Sequence, residues 1–460
     1  MVHAMFSTVE MPIWLLVLLV LFAAVTFASH FLFPSVRWFF RRRLERAVER
    51  LNTRLQRPIE PFKLARRTDM IQRLVYDPQV TQAIVEHARR NKVREDVAFE
   101  TARRYVREIV PSFSAFAYFG LGTRLARWLA HALYDIKTGS RNGEMLGRIE
   151  KDATVVFIMN HRSNMDYVLV TMLAAQASAL SYAVGEWARV WPLSRLIKSM
   201  GAYFISRKSR GGLYRKVLAR YVQMATENGV TQAIFPEGGL SLDGALKPPR
   251  LGLLSYVVGQ GAPEGRDVVF VPVAINYDRV LEDRILIEAD SRGERKFRAR
   301  MSVVLGFIAR MIWQKMRGTY RPFGTAAVVF GGPVSLASYG PAPDLEELGG
   351  DLMARIEAAM PLLYMPLLAK VMLEAEGPLP TDELSARLRS EYARAGDVVP
   401  LAPDEDPVDR ARRAIERLSA RSLIVRGPHG WVAHPEATEM LRYYANSISH
   451  FYSGHAAAAQ

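Results

Sequence analysis

His161 and Asp166 are the pair of side chains whose types and spacing most directly suggest chemistry. They follow an apolar run, residues 155–159, that has the length and β-branched content of a buried strand. A neutral imidazole takes a proton near pH 7, and a carboxylate on its other ring nitrogen fixes the tautomer. The spacing predicts a general base with its orienting partner; for the pair taken alone, a structural histidine is the alternative.

Basic side chains near predicted strand ends supply a second chemical feature. Arg207 and Lys208 come directly after the apolar residues 202–205, and Arg162 lies beside the histidine. Ligands collect at the carboxyl ends of strands in open α/β folds. We therefore expect these three cations to bind an anionic group of the substrate.

The segment FPEGG, residues 235–239, is a third polar cluster after a predicted strand. Gly238 and Gly239 allow the backbone to approach a phosphate or a glycerol closely, and an ordinary tight turn is the alternative. We expect Glu237 to bind substrate hydroxyls. A fourth cluster, VPVAINYD, covers residues 271–278.

The segments that must position these clusters are short apolar runs, typical of strands, which alternate along the chain with helical patterns. Alternation of this kind predicts an α/β fold with a mixed, mostly parallel sheet flanked by helices. The predicted strands are residues 155–159, 181–184, 202–205, 232–235, 268–275 and 326–330.

The order and content of the four clusters resemble the four blocks of the glycerophospholipid acyltransferase superfamily. HRSNMDY, GAYFISR, FPEGG and VPVAINYDRVLE are most similar to the membrane-bound glycerol-3-phosphate acyltransferase branch, which includes dihydroxyacetone-phosphate acyltransferases. Residues 441–451 resemble a C-terminal signature of that branch. The resemblance implies transfer of a fatty acyl group from acyl-CoA or acyl-carrier protein to the sn-1 hydroxyl of glycerol 3-phosphate, in phospholipid biosynthesis. It also implies direct attack without an acyl-enzyme; no further cofactor and no metal are expected.

The third block departs from the family pattern, which usually reads EGGRSR. Leu240 and Leu242 stand where the arginines assigned to the phosphate are expected, and Ser206 replaces a basic residue of the second block. The phosphate contact then depends on Arg207, assisted by Lys208, Lys247 or Arg250, or the acceptor differs from glycerol 3-phosphate. The alternative acceptors are 1-acylglycerol 3-phosphate and dihydroxyacetone phosphate.

Composition narrows the classes of function and partner. The 460 residues carry a formal net charge of +15 and no cysteine. Disulfides, thiolate catalysis and cysteine-ligated zinc are excluded. The positive charge favours an anionic partner, and we expect a phospholipid membrane.

The N-terminal residues predict a membrane anchor. Residues 13–33 are almost wholly apolar, which is enough helix to cross a bilayer. Residues 37–57 hold eight arginines against two glutamates. By the positive-inside rule, this predicts a single-pass protein of the inner membrane with a cytoplasmic catalytic domain.

The same features divide the chain into four predicted regions: a membrane anchor (1–36), a basic helical region (37–148), the acyltransferase domain (149–340) and a C-terminal helical region (341–460). The last has the helix–helix–hairpin order of a winged helix, and residues 409–421 carry five arginines. A membrane-tethered nucleic-acid-binding protein is therefore the non-enzymatic alternative. We favour a structural role for this region, without a nucleic-acid partner.

Overall fold

The protein is described from a computed structural model. The described residues are 11–27, 42–43, 46–140, 147, 149–175, 178–185, 193–205, 211–259, 266–293, 301–320, 322–396, 398–401 and 405–452. The chain forms two compact units, Met1–Pro58 and Ile59–Gln460.

The first unit contains helix α1, Ile13–Phe27, with 15 residues. Residues 28–33 of the predicted span lie outside the described residues. Within the described ranges, no helix is both long enough and apolar enough to cross a membrane. The predicted single-pass transmembrane helix is therefore not supported.

The second unit holds a sheet surrounded by helices. Its strands are β1 Asp135–Ser140, β2 Thr154–Met159, β3 Ser181–Val184, β4 Tyr203–Phe204, β5 Gln232–Ile234, β6 Val268–Tyr277, β7 Thr325–Phe330, β8 Val334–Ser335, β9 Ile424–Gly427 and β10 Gly430–Ala433. Its α-helices up to the end of the sheet are α2 Pro61–Leu64, α3 Arg67–Val75, α4 Pro78–Asn91, α5 Glu95–Ile109, α6 Thr123–Leu133, α7 Met165–Ala174, α8 Leu193–Ser199, α9 Gly212–Glu227, α10 Leu251–Val258, α11 Asp283–Ser291 and α12 Met301–Met316. The C-terminal helices are α13 Leu345–Ala358, α14 Tyr364–Glu374, α15 Thr381–Arg394, α16 Pro407–Ala420 and α17 Thr438–Asn446. A π-helix, Phe116–Gly122, precedes α6, and short 3₁₀ turns cover Leu336–Tyr339 and Pro435–Ala437.

The main sheet of the described chain is mixed, as predicted. Its order is β1-β7-β6-β2-β5-β3-β4, with β8 also paired to β6. β6 pairs antiparallel with β7 and β8, and the other pairings are parallel. All residues of β2 and β6 are buried, which accounts for their near-continuous apolar sequences.

The sheet brings the first, third and fourth blocks to one edge. β2 lies between β5 and β6, and both pairings are parallel, with Met159 opposite Val273. The carboxyl ends of β2 and β5 therefore meet, and β6 continues past them to Tyr277. The loops that carry the first and third blocks leave the sheet side by side.

Strand β1 was not predicted from the sequence. It pairs in parallel with β7, from Asp135 opposite Thr325 to Ser140 opposite Phe330. It is an edge strand whose side chains are exposed or half-buried. Such a strand needs no apolar run, so the sequence DIKTGS gives no strand signal.

The C-terminal helices share the core of the sheet. The apolar cluster that contains Val155 of β2 also contains Leu368 of α14, Leu418 of α16 and Leu441 of α17. α15, α16 and the antiparallel hairpin β9–β10 follow in the helix–helix–hairpin order expected from the sequence. The C-terminal region therefore packs against the sheet whose strand ends carry the blocks.

Candidate active site

The loop after β2 is fastened to the neighbouring strand by Asn160. Its amide nitrogen donates to the carbonyl of Ile275 at 2.9 Å, and its amide oxygen accepts from the N–H of the same residue at 2.7 Å. Asn160 is fully buried, so both bonds are shielded from water. The chain therefore leaves the sheet from a fixed point immediately before His161.

The predicted base and its partner are in direct contact. His161 Nδ1 lies 2.9 Å from Asp166 Oδ2, and Asp166 is the second residue of α7. The same oxygen accepts from the backbone N–H groups of Arg162 at 2.7 Å and Ser163 at 3.0 Å. A carboxylate in this position assigns the proton to Nδ1, which leaves Nε2 as the basic nitrogen. Among the described residues, Nε2 has no hydrogen-bond partner.

Aromatic rings hold the plane of the imidazole. His161 stacks on Phe235 with ring centroids 4.1 Å apart and an interplanar angle of 30°. Tyr167 meets the imidazole edge to face at 5.3 Å and 82°. The histidine is only 5% exposed, so it has little freedom to change rotamer.

Glu237 of the third block connects two loops. Its Oε1 accepts from the N–H of His161 at 2.8 Å, and its Oε2 accepts from the N–H of Lys247 at 3.1 Å. Burial raises the pKa of this carboxyl from 4.5 to about 7, against the opposing effect of the two N–H donors. Each carboxylate oxygen thus accepts one backbone N–H and keeps a second lone pair that could accept from a substrate hydroxyl. The predicted role of Glu237 in substrate binding stays a prediction.

The two glycines after Glu237 form a turn at the rim of the site. Gly238 has φ +68°, and a Cβ there would lie 2.7 Å from Cδ of Arg250. Gly238 is exposed and Gly239 is half-buried. The third block thus presents its backbone at the surface beside His161, as the predicted binding of a ligand by these glycines requires.

Arg162 points into the protein. It is 2% exposed, its Nη1 donates to the carbonyl of Gly244 at 2.7 Å, and its guanidinium lies 5.4 Å from the ring centre of Tyr443. Its Nε and Nη2 are buried without a hydrogen-bond partner in the described part of the chain. The observed contacts of Arg162 are with the third-block loop and α17; binding of substrate by this residue stays a prediction.

The predicted phosphate contacts, Arg207 and Lys208, lie outside the described residues, as does Ser206. Leu240 and Leu242, which replace the expected arginines, are half-buried and pack against the apolar core. Lys247 is held by Asp243 at 2.5 Å. In the part of the chain that the structure describes, no group of three or more His, Asp or Glu side chains is placed to hold a metal ion.

Two side chains of the fourth block reach the first block and were not predicted as site residues. The Tyr277 hydroxyl donates to Asp166 Oδ1 at 2.5 Å. Glu282 accepts from the Ser163 hydroxyl at 2.7 Å and from the side-chain nitrogen of Asn164 at 3.0 Å. Both belong to the segment VPVAINYDRVLE, whose sequence predicted the block but not its contacts with the first block.

The site also receives residues from the C-terminal region. Asn446 of α17 donates to the carbonyl of Asp243 at 2.9 Å. Gly244 has φ +87°, and a Cβ there would lie 1.9 Å from the carbonyl oxygen of Tyr443. The third-block loop is therefore packed against α17 so closely that only glycine fits at residue 244.

Comparison with known proteins confirms the resemblance read from the four blocks. Residues 142–276 match the family model described as Acyltransferase. The chain is 28% identical over 425 residues to a glycerol-3-phosphate acyltransferase of Aeromonas hydrophila, and the match covers 85% of this chain and 51% of that protein. It is 25% identical over 412 residues to a glycerol-3-phosphate acyltransferase of Alteromonas mediterranea, with 81% and 48% covered.

The chain thus spans about half the length of these curated relatives. Among solved structures, the 1-acyl-sn-glycerophosphate acyltransferase of Thermotoga maritima matches with a TM-score of 0.33 and 20% sequence identity. That match covers 56% of this chain and 80% of the other.

Proposed function

We propose that the protein transfers a fatty acyl group from a thioester, acyl-CoA or acyl-carrier protein, to the sn-1 hydroxyl of glycerol 3-phosphate. The observation that carries the proposal is the contact between His161 and Asp166, inside the segment that matches the Acyltransferase family model. Asp166 orients the imidazole, and Nε2 is left to act on a hydroxyl. The names of the relatives support glycerol 3-phosphate as the acceptor.

In the proposed mechanism, His161 acts as a general base in a ternary complex. Nε2 removes the proton of the acceptor hydroxyl as its oxygen attacks the thioester carbonyl carbon. The C–S bond then breaks, and the thiolate takes the proton from the imidazolium. Asp166 stabilises the positive charge of the imidazolium without itself being protonated. The new ester and the free thiol are the products.

The Ser163 hydroxyl has the contacts of a structural residue. It donates to Glu282 at 2.7 Å and accepts from the N–H of Met165 at 3.1 Å. A nucleophilic serine requires an adjacent base that takes its proton, and the carboxylate of Glu282 binds this hydroxyl away from the imidazole. This supports direct attack by the acceptor over an acyl-enzyme.

We propose the cytoplasmic face of the inner membrane as the location. The exposed side chains of α6 and the preceding π-helix combine apolar and basic types: Phe116, Leu121, Arg124, Leu125, Arg127 and Trp128. Such a face suits an anionic lipid surface, as do the arginines of residues 37–57. α6 packs against α7, which carries Asp166, so acyl chains in the membrane would lie near the site.

The replacement of the third-block arginines supports one alternative acceptor. Leu240 and Leu242 contribute apolar surface to the core beside Glu237 and supply no phosphate donor. An acceptor that already carries an acyl chain, 1-acylglycerol 3-phosphate, would depend less on a phosphate contact. Dihydroxyacetone phosphate remains the other candidate.

The contacts of the C-terminal arginines support a structural role for that region. Arg417 pairs with Asp278 at 2.5 Å and Arg421 with Asp283 at 2.5 Å. Asp278 directly follows β6 in the fourth block, and Asp283 is the first residue of α11. Arginines engaged with carboxylates of the core are poorly placed to contact nucleic-acid phosphates.

The test is a donor-by-acceptor activity matrix with purified protein on anionic phospholipid vesicles. Acyl-CoA and acyl-carrier protein are the donors; glycerol 3-phosphate, dihydroxyacetone phosphate and 1-acylglycerol 3-phosphate are the acceptors. We expect acylation of glycerol 3-phosphate, reduced at least about 10³-fold in His161→Ala because a general base is lost. His87→Ala, on α4, is the matched control.

Activity on 1-acylglycerol 3-phosphate alone would refute the sn-1 assignment. Near-normal turnover by a folded His161→Ala protein would refute the assignment of the base.

A further inference from the structure

We propose that Tyr277 is a positioning residue that holds Asp166 in the orientation in which it aligns His161. The inference rests on the proposed function, since it gives Tyr277 a part in acyl transfer with His161 as base. It assigns a role in the reaction to the end of the fourth block, where none of the predicted site residues lies.

The contacts of Asp166 separate into two groups. Oδ2 accepts from His161 Nδ1 and from two backbone N–H groups, and all three donors belong to the loop that precedes α7. Oδ1 accepts from the Tyr277 hydroxyl at 2.5 Å, and no other described residue donates to it. The phenol is thus the contact that ties the carboxylate to a separate element, the end of β6.

Tyr277 is itself held on several sides. It is the last residue of β6 and is fully buried. Its backbone N–H donates to the side-chain oxygen of Asn276 at 2.9 Å, and its ring packs on Tyr134 at 5.3 Å and 55°. The following N–H, of Asp278, donates to the carbonyl of Thr325 at 2.9 Å. The hydroxyl therefore presents a fixed donor to Asp166.

The chemistry of the contact suits this task. Burial and the neighbouring Asp166 raise the pKa of Tyr277, which keeps the phenol protonated and able to donate. A hydrogen bond to a carboxylate is stronger than one between neutral groups. Without the phenol, Oδ1 would be a buried anionic oxygen with no donor, and the carboxylate would turn toward whatever donor it finds. The imidazole would then lose its alignment with the acceptor hydroxyl.

The first test is Tyr277→Phe, which removes the hydroxyl and leaves the ring. Because Tyr277 acts through Asp166, we expect kcat to fall about 10- to 100-fold, as for the loss of one charge-assisted hydrogen bond. KM for both substrates should stay within about twofold of wild type. Tyr452→Phe is the matched control, since Tyr452 is also buried and its phenol donates to a backbone carbonyl, that of Glu391, at 2.9 Å.

A kcat for Tyr277→Phe equal to that of Tyr452→Phe would overturn the inference. So would a rise in KM with kcat unchanged.

A double-mutant cycle identifies the route of the effect. Added to Asp166→Asn, Tyr277→Phe should lower kcat by less than about threefold, because the carboxylate on which it acts is already gone. Effects that multiply in full would show that Tyr277 acts elsewhere and would overturn the inference.

A measurement independent of activity separates this inference from the proposed function. In protein with ¹⁵N-labelled histidine, the Nδ1 proton resonance of His161 should shift in Tyr277→Phe and stay unchanged in Tyr452→Phe. Should Tyr277→Phe not fold, a fluorotyrosine at residue 277 keeps the shape and changes the acidity of the phenol, and the resonance should follow that acidity. An unmoved resonance overturns the inference, whereas absence of acyl transfer by the wild type would overturn only the proposed function.

Discussion

Replacing Asp166 by asparagine removes one charge from the site while keeping its shape. The amide oxygen can take the place of Oδ2 and keep the N–H donors of Arg162 and Ser163. The amide nitrogen then faces the Tyr277 hydroxyl, which can turn to accept. The fold should therefore survive, and the effect should fall on the imidazolium that forms during the reaction.

The size of the effect follows from the distance between the charges. His161 Nδ1 and Asp166 Oδ2 are 2.9 Å apart, which puts the centres of the two charges about 4 Å apart. With an effective dielectric constant of about 20, their attraction is about 4 kcal/mol. Since 1.36 kcal/mol corresponds to a factor of ten, kcat should fall about 10³-fold.

The assay is transfer of a radiolabelled acyl group to glycerol 3-phosphate by Asp166→Asn at saturating donor and acceptor. Asp351→Asn is the matched control, since Asp351 lies on α13 and pairs with Arg355 at 2.8 Å, outside the site. Thermal unfolding of both variants establishes that they are folded. An Asp166→Asn enzyme that keeps more than a tenth of the wild-type kcat would refute the role of the carboxylate in stabilising the imidazolium.

Two further perturbations test the loops around His161. Folding raises the pKa of Glu237 from 4.5 to about 7, so between these pH values the folded protein keeps a proton that the unfolded chain releases. The free energy of unfolding, measured by denaturant titration, should therefore fall by roughly 2–3 kcal/mol more in wild type than in Glu237→Gln as pH rises from 4.5 to 7. A difference between wild type and variant that is constant with pH would contradict this. Gly244→Ala should lower the free energy of unfolding by about 2–4 kcal/mol, because the φ of +87° is strained for alanine and its Cβ would meet the Tyr443 carbonyl. Gly252→Ala on α10 is the control: no atom lies within 4 Å of a Cβ at residue 252, so this variant should be neutral or stabilising in thermal melts. Equal melting temperatures for the two variants would show that α17 does not pack on the loop as described.

The parts of the site that could be predicted are those encoded locally. The apolar residues of β2 and the polar residues that follow them are adjacent in sequence, so the strand, His161 and the contact with Asp166 five residues later all follow from one short segment. Long strands buried on both faces, such as β6, are equally predictable from the sequence because nearly every residue must be apolar.

What could not be predicted depends on contacts between distant segments. Tyr277 reaches Asp166 across 111 residues, and nothing in the sequence of the fourth block specifies which oxygen its phenol meets. The two contacts of Glu237 are of the same kind, since its oxygens accept from the backbone N–H groups of His161 and Lys247, which no side-chain pattern reveals.

The packing of α17 on the third-block loop has a consequence for how the protein is made. Asn446 binds the carbonyl of Asp243, 203 residues earlier in the chain. A ribosome adds about 5–20 residues per second, so the loop is exposed for roughly 10–40 s before its partner is synthesised. During that interval His161 and Asp166 can already meet, because they are close in sequence. The geometry around them, in contrast, is completed only after α17 has left the ribosome.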